Sequence, residues 1–466
     1  MSVHDPPGEF RSGPLGLRHA GLFTDLYQIT MAAAYHREGQ RAPATFSLFV
    51  RRLPPSRGFL VAAGLEDALE YLAGLRFEPA SIAYLDSLRR FDGEFLEYLA
   101  GLRFTGEVRA VTEGTVLGPE APLLEVTAPV IEAQLVETAL LNFCHLQSVI
   151  ASKAARVAIA ARGRQVAEFG LRRSHGIDAG LKAARSAYLA GCDLTSDVLA
   201  GKTWGLPLSG TMAHSFVTAF PHEIDAFRAY AGAFPDTTIL LIDTYDTLEG
   251  ARKAVQVAGE LAARGHRLAG VRLDSGDLPV LSREVRRILD EGGFPEVKIL
   301  ASGGLDEHDV DRLLAAGVPV DAFGVGTRLN VSADAPSLDF VYKLVRYAGR
   351  DVLKLSEGKE TWVGPKQLYR RRDPDGRFAG DILAAADEPG PAGAEPLLEP
   401  VMRDGRLLRP HPSLAELRER CMGQLTVLPE ECRRLVDPVV YPVEVSETLR
   451  ARQTAGAERI RSGGGS

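Results

Sequence analysis

The fold is decided by Thr238-Ile-Leu-Leu-Ile-Asp243, a short apolar run that ends in a carboxylate. Two runs of the same kind follow it, Ala269-Gly-Val-Arg-Leu-Asp274 and Val297-Lys-Ile-Leu-Ala-Ser-Gly-Gly304. Their ends at residues 243, 274 and 303 are 31 and 29 residues apart, which is the length of one βα repeat in a parallel barrel. We therefore predict that this part of the chain alternates strands with helices around a parallel sheet.

Helical patterns and further apolar runs extend this arrangement in both directions. Apolar residues recur with helical spacing at 247–263, 282–291 and 306–316, and each pattern is closed by glycine. Short apolar runs at 166–170 and 322–325 predict two more strands. The sequence thus predicts an α/β barrel over residues 151–330, with its polar groups at the carboxyl ends of the strands.

Four segments flank this predicted barrel. Residues 1–20 are predicted to be a disordered leader, and residues 456–466, which end in Ser-Gly-Gly-Gly-Ser, a flexible tail. Residues 21–150 predict an α+β domain, with helical patterns at 81–99 and at 130–160, the second broken at 145–148. Residues 331–455 predict an α+β segment that packs back on this N-terminal domain, with a loop-rich stretch at 373–400.

Composition excludes several classes of protein. The chain has 466 residues, of which 45% are hydrophobic and 25% charged, as expected for two or three soluble globular domains. The net charge of −7 and the scattered lysines and arginines argue against nucleic-acid binding. The four cysteines form no CxxC pair, which favours a reducing compartment. Because no secretory signal or membrane-spanning run is found, we expect a cytoplasmic protein with no membrane contact.

Carboxylates gather at two successive strand ends, in Asp243-Thr-Tyr-Asp246 and Asp274-Ser-Gly-Asp277. Clustered oxygen ligands suit Mg²⁺, which keeps several waters and bridges to substrate phosphates. An aspartate at the start of a helix is also a common N-cap. Both interpretations of these four residues are open at this stage.

Glycine-rich strand ends point to a phosphate. Gly303-Gly304 and Gly324-Val-Gly326-Thr327 precede two predicted helices, where backbone N–H groups and the helix dipole can cradle an anion. In an α/β barrel this is the usual position of a phosphate site. A multiply phosphorylated ligand is therefore expected at this edge.

Fixed positive charge and a histidine complete the candidate site. Arg172, Arg173 and Arg272 lie at strand ends and suit further anionic groups. His214 lies within Leu208-Ser-Gly-Thr-Met-Ala-His-Ser215, whose small residues leave its imidazole accessible as a nucleophile or an acid/base group. A single histidine is more often structural, so the functional interpretation of His214 depends on its neighbours.

These motifs make the chain resemble the nicotinate phosphoribosyltransferases, the ATP-coupled type II phosphoribosyltransferases of NAD salvage. The stretches that carry the resemblance are Phe23-Thr-Asp-Leu-Tyr27, Glu168-Phe-Gly-Leu-Arg-Arg173, Thr195-Ser-Asp-Val-Leu-Ala-Gly201, Ser209-Gly-Thr-Met-Ala-His-Ser215, Ile242-Asp-Thr-Tyr-Asp246, Arg272-Leu-Asp-Ser-Gly276, Ala301-Ser-Gly-Gly304, Phe323-Gly-Val-Gly-Thr327 and Tyr342-Lys-Leu-Val345. Two departures stand out: Asp197 replaces an expected Asn, and the segment 51–58 has one glycine where the family has a pair.

The resemblance implies an incomplete α/β barrel, an N-terminal domain completed by C-terminal segments, and a homodimer with active sites near the subunit interface. It implies synthesis of nicotinate mononucleotide from nicotinate and phosphoribosyl diphosphate, with Mg²⁺ as cofactor. ATP is implied as a co-substrate that transiently phosphorylates His214. His214, Asp243 and Asp274 would be catalytic, and the two aspartates would also hold the metal, directly or through water or substrate.

The resemblance also implies which residues bind the substrates. Those for the pyridine base are Tyr27 from the partner subunit, Phe169, Thr195 and Ser196, and Arg172 would bind the carboxylate of the base or the phosphate. Those for the ribose and diphosphate are Asp243, Arg272, Asp274 and Ser275. Those for the 5-phosphate are Gly303, Gly304, Gly324, Gly326 and Thr327.

Two alternatives to this function are kept. One is the same reaction on nicotinamide; the family's nicotinamide-using relatives carry Asp where this chain has Ser196, which favours nicotinate here. Asp197 is expected to point away from the base, because adjacent side chains of an extended segment face opposite sides. The other alternative is a silent paralogue that only binds phosphoribosyl diphosphate, against which the presence of His214 argues.

Overall fold

The computed structural model describes residues 17–355 and 361–462, and its contacts divide the chain into two units. Unit 1 combines the chain up to Ser152 with the chain from Ala335 onward, and unit 2 is Lys153–Asp334. Segments from the two ends of the sequence therefore share one unit, and the middle of the chain forms the other.

The N-terminal segment begins with a 3₁₀ helix at Leu17–Leu22. Its α-helices are α1 Leu26–Arg37, α2 Leu65–Gly74, α3 Pro79–Ser87, α4 Gly93–Gly101, α5 Val130–Leu135 and α6 Glu137–Ala161. Its strands are β1 Pro43–Val50, β2 Leu60–Val61, β3 Glu107–Ala110, β4 Val116–Leu117 and β5 Pro122–Pro129. The boundary between the two units falls within α6.

Unit 2 alternates short strands with helices. The strands are β6 Gln165–Glu168, β7 Leu194–Thr195, β8 Ile239–Leu241, β9 Gly270–Leu273, β10 Lys298–Ala301 and β11 Ala322–Val325. The α-helices are α7 Ile177–Leu189, α8 Val198–Trp204, α9 His214–Thr218, α10 Glu223–Ala233, α11 Thr247–Ala262, α12 Leu278–Glu291, α13 Glu307–Ala315 and α14 Thr327–Asn330. A 3₁₀ turn spans Leu171–Arg173.

The six strands of unit 2 form one sheet in the order β7-β6-β11-β10-β9-β8, and every pair is parallel. Residues of the central strands, among them Val271, Ile299 and Phe323, have no exposed surface. Burying an apolar side chain of this kind contributes roughly 1.5–3 kcal/mol. Six parallel strands in place of the eight of a closed barrel confirm the predicted incomplete barrel.

The C-terminal segment returns to unit 1. Its strands are β12 Phe340–Tyr347, β13 Arg350–Asp351, β14 Lys366–Arg372, β15 Phe378–Ala385, β16 Glu395–Pro396, β17 Glu399–Arg403, β18 Arg406–Leu407 and β19 Val443–Val445. Its α-helices are α15 Leu414–Val427, α16 Glu430–Arg433 and α17 Glu447–Arg461.

Strands from both ends of the chain join in one sheet of unit 1, with three N-terminal strands flanked on each side by two C-terminal strands. Its order is β13-β12-β1-β5-β3-β17-β18, so that β1 pairs with β5 on one side and with the C-terminal β12 on the other. The rings of Phe46 on β1 and Tyr342 on β12 stack with their centroids 4.8 Å apart. This shared sheet confirms the expected α+β region built from N-terminal and C-terminal segments.

Several predicted boundaries are wrong for local reasons. The pattern at 81–99 is two helices, because Asp92 accepts a hydrogen bond from the Phe95 N–H and starts α4 there. The predicted break at 145–148 does not occur: α6 runs through it, and the Ser152 hydroxyl donates to the carbonyl of Ser148 within the helix. The stretch 373–400, predicted to be loop-rich, contains all of β15.

Helical elements extend into both predicted flexible ends. The 3₁₀ helix at Leu17–Leu22 begins inside the predicted leader 1–20, and α17 continues to Arg461, so the predicted tail is wrong for residues 456–461. Ser446 caps α17 by accepting from the Leu449 N–H, which starts the helix before the polar tail is reached. Residues 1–16 and 463–466 lie outside the described residues.

Candidate active site

The carboxyl ends of the six parallel strands lie at one edge of the unit 2 sheet. The register pairs Glu168 with Thr195 on one side and with Val325 on the other, while Ala301 is paired with Leu273. Because all pairs are parallel, the carboxyl ends lie at one edge, where β11 extends two residues beyond the end of β10. Since the residues that follow these ends carry the polar groups of the sequence motifs, the sheet brings the motifs together.

The ends of β8 and β9 carry a hydrogen-bonded network around Asp274. The Arg272 guanidinium donates through Nε to Ser302 Oγ (2.8 Å) and through Nη1 to Thr211 Oγ1 (3.0 Å), and its Nη2 pairs with Asp274. Ser302 Oγ also donates to Asp274 Oδ1 at 2.5 Å. Burial works against ionisation of Asp274, but Ser302 and Arg272 outweigh it and lower its pKa below the ordinary value. Asp274 is therefore an anion held in place by the protein.

Asp243 is joined to this network through one oxygen only. Its Oδ2 accepts from the Asp274 N–H (2.9 Å) and from Ser275 Oγ (2.5 Å). Its Oδ1 is buried and has no hydrogen-bond partner. A buried carboxylate oxygen without a partner is costly unless a ligand completes it. Asp243 therefore offers one free acceptor at the carboxyl edge.

The other acidic candidates are used as helix caps. Asp246 Oδ1 accepts from the N–H groups of Leu248 (3.0 Å) and Glu249 (2.8 Å) and begins α11. Asp277 Oδ1 accepts from the Val280 N–H (3.1 Å) and begins α12. Of the four clustered aspartates, these two thus follow the capping alternative, and Asp243 and Asp274 remain at the site.

The two glycine-rich strand ends leave no room for a Cβ at Gly303 or at Gly324. Gly303 has φ +101°, and a Cβ there would lie 1.9 Å from the Asp274 carbonyl oxygen, so the loop after β10 is fixed against β9. Gly324 lies under Phe169, where a Cβ would be 2.7 Å from the ring. Gly304 and Gly326 lie beside these two, and Thr327 is the first residue of α14.

The other end of the same edge, at β6 and β7, carries Phe169, Arg172 and Ser196. Phe169 follows β6, and its N–H donates to the Val325 carbonyl at 2.8 Å. The Arg272 guanidinium carbon lies 5.8 Å from the centroid of the Phe169 ring. Arg172 and Arg173 are exposed on the 3₁₀ turn, and Ser196 follows β7 and is half-buried. A flat ring, a cation and a hydroxyl are therefore available on this side.

His214 is the first residue of α9 and is exposed. Its Nδ1 lies 3.1 Å from Thr244 Oγ1, which holds the ring in one orientation. An open cleft of about 460 Å³ runs past it, a size that suits a small-molecule ligand. The predicted site residues that line the cleft are Phe169, Arg172, Ser196, His214, Arg272 and Asp274.

Two residues predicted to bind the base, Thr195 and Tyr27, are not among those that line the cleft. The Thr195 side chain is 2% exposed, and its hydroxyl donates to Glu168 Oε2 at 2.6 Å, so it is used inside the protein. Tyr27 belongs to the first turn of α1 in unit 1, where 49% of it is exposed. Asp197, which replaces the expected Asn, accepts from the Leu199 and Ala200 N–H groups and caps α8.

Sequence reasoning missed four residues that hold the site together: Glu168, Thr211, Thr244 and Ser302. All four lie inside or next to the motifs, but their partners are distant in sequence. Along the described ranges, no cluster of three or more His, Cys, Asp or Glu side chains is arranged to hold a metal by itself. No helix in the described part of the chain is both long and apolar enough to cross a bilayer.

The fold and the location of these groups define the class of protein: an α/β-barrel protein with its polar groups at the carboxyl ends of the strands, where proteins of this fold carry their active sites. Sequence models of the nicotinate phosphoribosyltransferase N-terminal and C-terminal domains match residues 22–145 and 390–453. A nicotinate phosphoribosyltransferase of Mycobacterium tuberculosis is 50% identical over 93% of this chain and 93% of its own length. The human nicotinate phosphoribosyltransferase is 36% identical over 92% of this chain and 95% of its own.

Solved structures agree with the sequence matches. The crystal structure of human nicotinic acid phosphoribosyltransferase superposes with a TM-score of 0.84 and 35% identity, over 93% of this chain and 99% of that one. A nicotinate-nucleotide pyrophosphorylase from Pyrococcus furiosus gives a TM-score of 0.73 at 27% identity, over 91% of this chain and 98% of that one. The chain belongs to the nicotinate phosphoribosyltransferase family, which confirms the resemblance found in its motifs.

Proposed function

We propose that the protein forms nicotinate mononucleotide from nicotinate and phosphoribosyl diphosphate, a step of NAD salvage. The observation that carries the proposal is the set of groups that meet along one sheet edge: Phe169 and Ser196, the glycine loops, and Asp274 with Asp243. The two substrates present three matching groups around one ribose: the pyridine and the diphosphate meet at C1, and the 5-phosphate is carried on C5. The names of the relatives support this assignment.

In the proposed reaction the pyridine nitrogen attacks C1 of the ribose while the bond from C1 to the diphosphate oxygen breaks. The bonding pair leaves with pyrophosphate, and C1 passes through an oxocarbenium-like state. Phe169 would stack on the pyridine, and Arg272 and Arg172 would balance the anionic groups. The contribution of the protein is positioning and charge stabilisation.

Mg²⁺ is the metal that this site fits. Asp243 Oδ1 is a buried carboxylate oxygen without a partner, and Asp274 is kept ionised by Arg272 and Ser302. One or two carboxylates that share a cation with substrate phosphates are the usual protein contribution to a Mg²⁺ site. When bound with the diphosphate, the cation would neutralise charge on the leaving pyrophosphate.

We also propose that ATP is a co-substrate that phosphorylates His214. Thr244 holds Nδ1, which leaves Nε2 on the exposed side of the ring as the nucleophile. The γ-phosphoryl group of ATP would transfer to Nε2 with release of ADP, and water would later cleave the phosphohistidine to give phosphate. The neighbouring cleft and the cation of Arg272 suit the added negative charge.

Ser196 accounts for the expected choice of nicotinate over nicotinamide. A carboxylate at this position would repel the nicotinate carboxylate by about 4 kcal/mol for charges ~4 Å apart at an effective dielectric of ~20. A serine removes that repulsion and can donate a hydrogen bond. The nearest carboxylate in sequence, Asp197, is 3% exposed and is turned to the start of α8.

The assembly and location follow from the same proposal. We propose a homodimer in which Tyr27 of the partner subunit contacts the pyridine, since Tyr27 and its neighbour Leu26 are 49% and 44% exposed in the single chain. The four buried cysteines fit the proposed cytoplasmic location.

One set of rate measurements tests this function. Product formation is followed with nicotinate or nicotinamide, with and without ATP, for the parent protein, His214→Ala and Ser196→Asp. The parent should use nicotinate and be stimulated by ATP. His214→Ala should lose the ATP stimulation and keep a slow ATP-independent rate, because the binding groups at the strand ends remain. Ser196→Asp should depress the use of nicotinate through charge repulsion.

The outcomes separate the alternatives. Efficient use of nicotinamide by the parent would contradict the choice of base. Binding of phosphoribosyl diphosphate without any product would indicate the silent paralogue. Full ATP stimulation in His214→Ala would refute the phosphohistidine.

A further inference from the structure

A buried carboxylate lies directly behind the proposed base pocket. Glu168 is the last residue of β6 and is 1% exposed. Its Oε1 accepts from the Gly170 N–H, and its Oε2 accepts from Thr195 Oγ1 at 2.6 Å. The proposed reaction assigns no role to it. We propose that Glu168 is a positioning residue that fixes the two walls of the base pocket relative to each other.

The first wall is the turn that carries Phe169 and Arg172. The bond from Gly170 N–H to Glu168 closes the backbone immediately after Phe169, and the Gly170 carbonyl then accepts from the Arg173 N–H at 2.8 Å to start the 3₁₀ turn. Gly170 is also pressed against Asn330, because a Cβ would lie 2.2 Å from the amide carbon of Asn330. Glu168 thus sets the direction in which the chain leaves β6.

The second wall is the end of β7, which carries Ser196. The Thr195 hydroxyl donates to Glu168 and accepts from the Asp197 N–H at 3.0 Å, so it bridges the carboxylate to the residue after Ser196. The Ser196 N–H itself donates to the Glu168 carbonyl at 3.0 Å. Ser196 is therefore held on both sides by groups that depend on Glu168.

The hydrogen-bonding capacity of the Glu168 side chain explains why this arrangement is specific. Burial raises the pKa of Glu168, while hydrogen bonds from Thr195, Gly170 and Asn330 oppose that rise. A carboxylate offers only acceptors, which matches three surrounding donors. An amide of the same size replaces one acceptor with a donor, so at least one of the walls must lose its hydrogen bond and shift.

This inference rests on the proposed function, and steady-state kinetics of the full chain tests it. Glu168→Gln should raise the KM for nicotinate about tenfold, the change that follows from the loss of one such contact. The KM for phosphoribosyl diphosphate and kcat should stay within about twofold, since the groups at β8 and β9 are untouched. A general loss of folded protein would lower the apparent kcat and leave both KM values unchanged.

The matched control is Asp193→Asn. Asp193 Oδ2 accepts from the Val166 N–H at 2.8 Å, so this carboxylate binds the same strand, β6, at its opposite end. Its amide variant should keep the nicotinate KM of the parent. Thr195→Val is the second test variant: it removes the bridging hydroxyl without changing the buried charge and should raise the nicotinate KM about threefold.

The outcomes are separable. A folded Thr195→Val or Glu168→Gln variant whose nicotinate KM equals that of Asp193→Asn would overturn the role of Glu168. If Glu168→Gln does not fold, Thr195→Val alone decides. A parent protein that forms no nicotinate mononucleotide contradicts the proposed function itself, whereas an active parent with an unaffected Glu168→Gln contradicts only this inference.

Discussion

Two arginine–aspartate pairs, one in each unit, use the same chemistry for different ends. In unit 1, Arg370 and Asp381 are 1% and 0% exposed and pair through Nε to Oδ1 (2.9 Å) and Nη2 to Oδ2 (2.8 Å). Gln424 accepts from the remaining Nη1 at 2.8 Å, and the Tyr441 hydroxyl donates to Asp381 at 2.9 Å. Both side chains are therefore satisfied by the protein alone.

The pair in unit 2 is open by comparison. The side chains of Arg272 and Asp274 are 16% and 29% exposed, and the adjoining Asp243 keeps one buried oxygen without a partner. An ion pair that is complete within the protein holds the fold together, while one with unused hydrogen-bonding capacity is available to a ligand. Whether all hydrogen-bonding groups of a pair are satisfied within the protein thus distinguishes a structural pair from a ligand-binding pair better than residue type does.

The largest effect, on the free energy of unfolding, is expected from breaking the buried pair of unit 1, Arg370 and Asp381. Asp381→Asn should lower the free energy of unfolding by about 3–5 kcal/mol, because it leaves the buried Arg370 without a counter-charge. Denaturant unfolding monitored by circular dichroism measures this. Asp274→Asn is the control and should cost less than about 1 kcal/mol, as its site is half-open. Equal destabilisation by the two variants would show that the pair in unit 2 stabilises the fold as much as the pair in unit 1 does.

A smaller effect, on substrate binding and not on stability, is expected at the pair of unit 2, Arg272 and Asp274, and at the adjoining Asp243. Asp243→Asn and Asp274→Asn should each weaken the binding of phosphoribosyl diphosphate about tenfold or more and raise the Mg²⁺ concentration required. The reason is that Arg272 and Ser302 lower the pKa of Asp274 despite its burial, so the amide removes a full charge. Substrate titrations at several Mg²⁺ concentrations measure this. Unchanged affinity with a large loss of stability would make both residues structural.

The smallest effect is expected at Asp197, which lies beside the site but is used as a helix cap. Asp197→Asn should change kcat/KM for nicotinate by no more than about twofold, because Asn and Asp cap helices equally well. Comparison with Ser196→Asp under the same conditions sharpens the contrast, since that variant puts a new charge next to the base. A large change of base selectivity in Asp197→Asn would show that the cap is also part of the pocket.

The sequence predicted the features that are local. The strand ends at Asp243 and Asp274 and the glycine loop at 303–304 follow from short apolar runs and turn residues, and the structure places them at one edge. The wrong end of the tail at 456 is also local: a helix cap at Ser446 overrides a polar composition.

The features that escaped prediction depend on contacts across the fold. Whether an aspartate at a strand end caps a helix, as Asp246 does, or faces a ligand, as Asp243 does, is decided by the turn that follows it. Glu168 meets Thr195 27 residues later, and Ser302 meets Asp274 28 residues earlier. No pattern within a single strand or helix contains these pairs.

The unclosed sheet of unit 2 has a consequence for how the protein behaves at high concentration. A barrel that stops at six strands leaves two outer strands, β7 and β8, and an open strand edge is a template on which another chain can add. Here the two edges are only two and three residues long, and the Leu208 backbone bridges to Thr195 along β7. Strands this short give an incoming chain few hydrogen bonds, so we expect little edge-to-edge aggregation through this sheet.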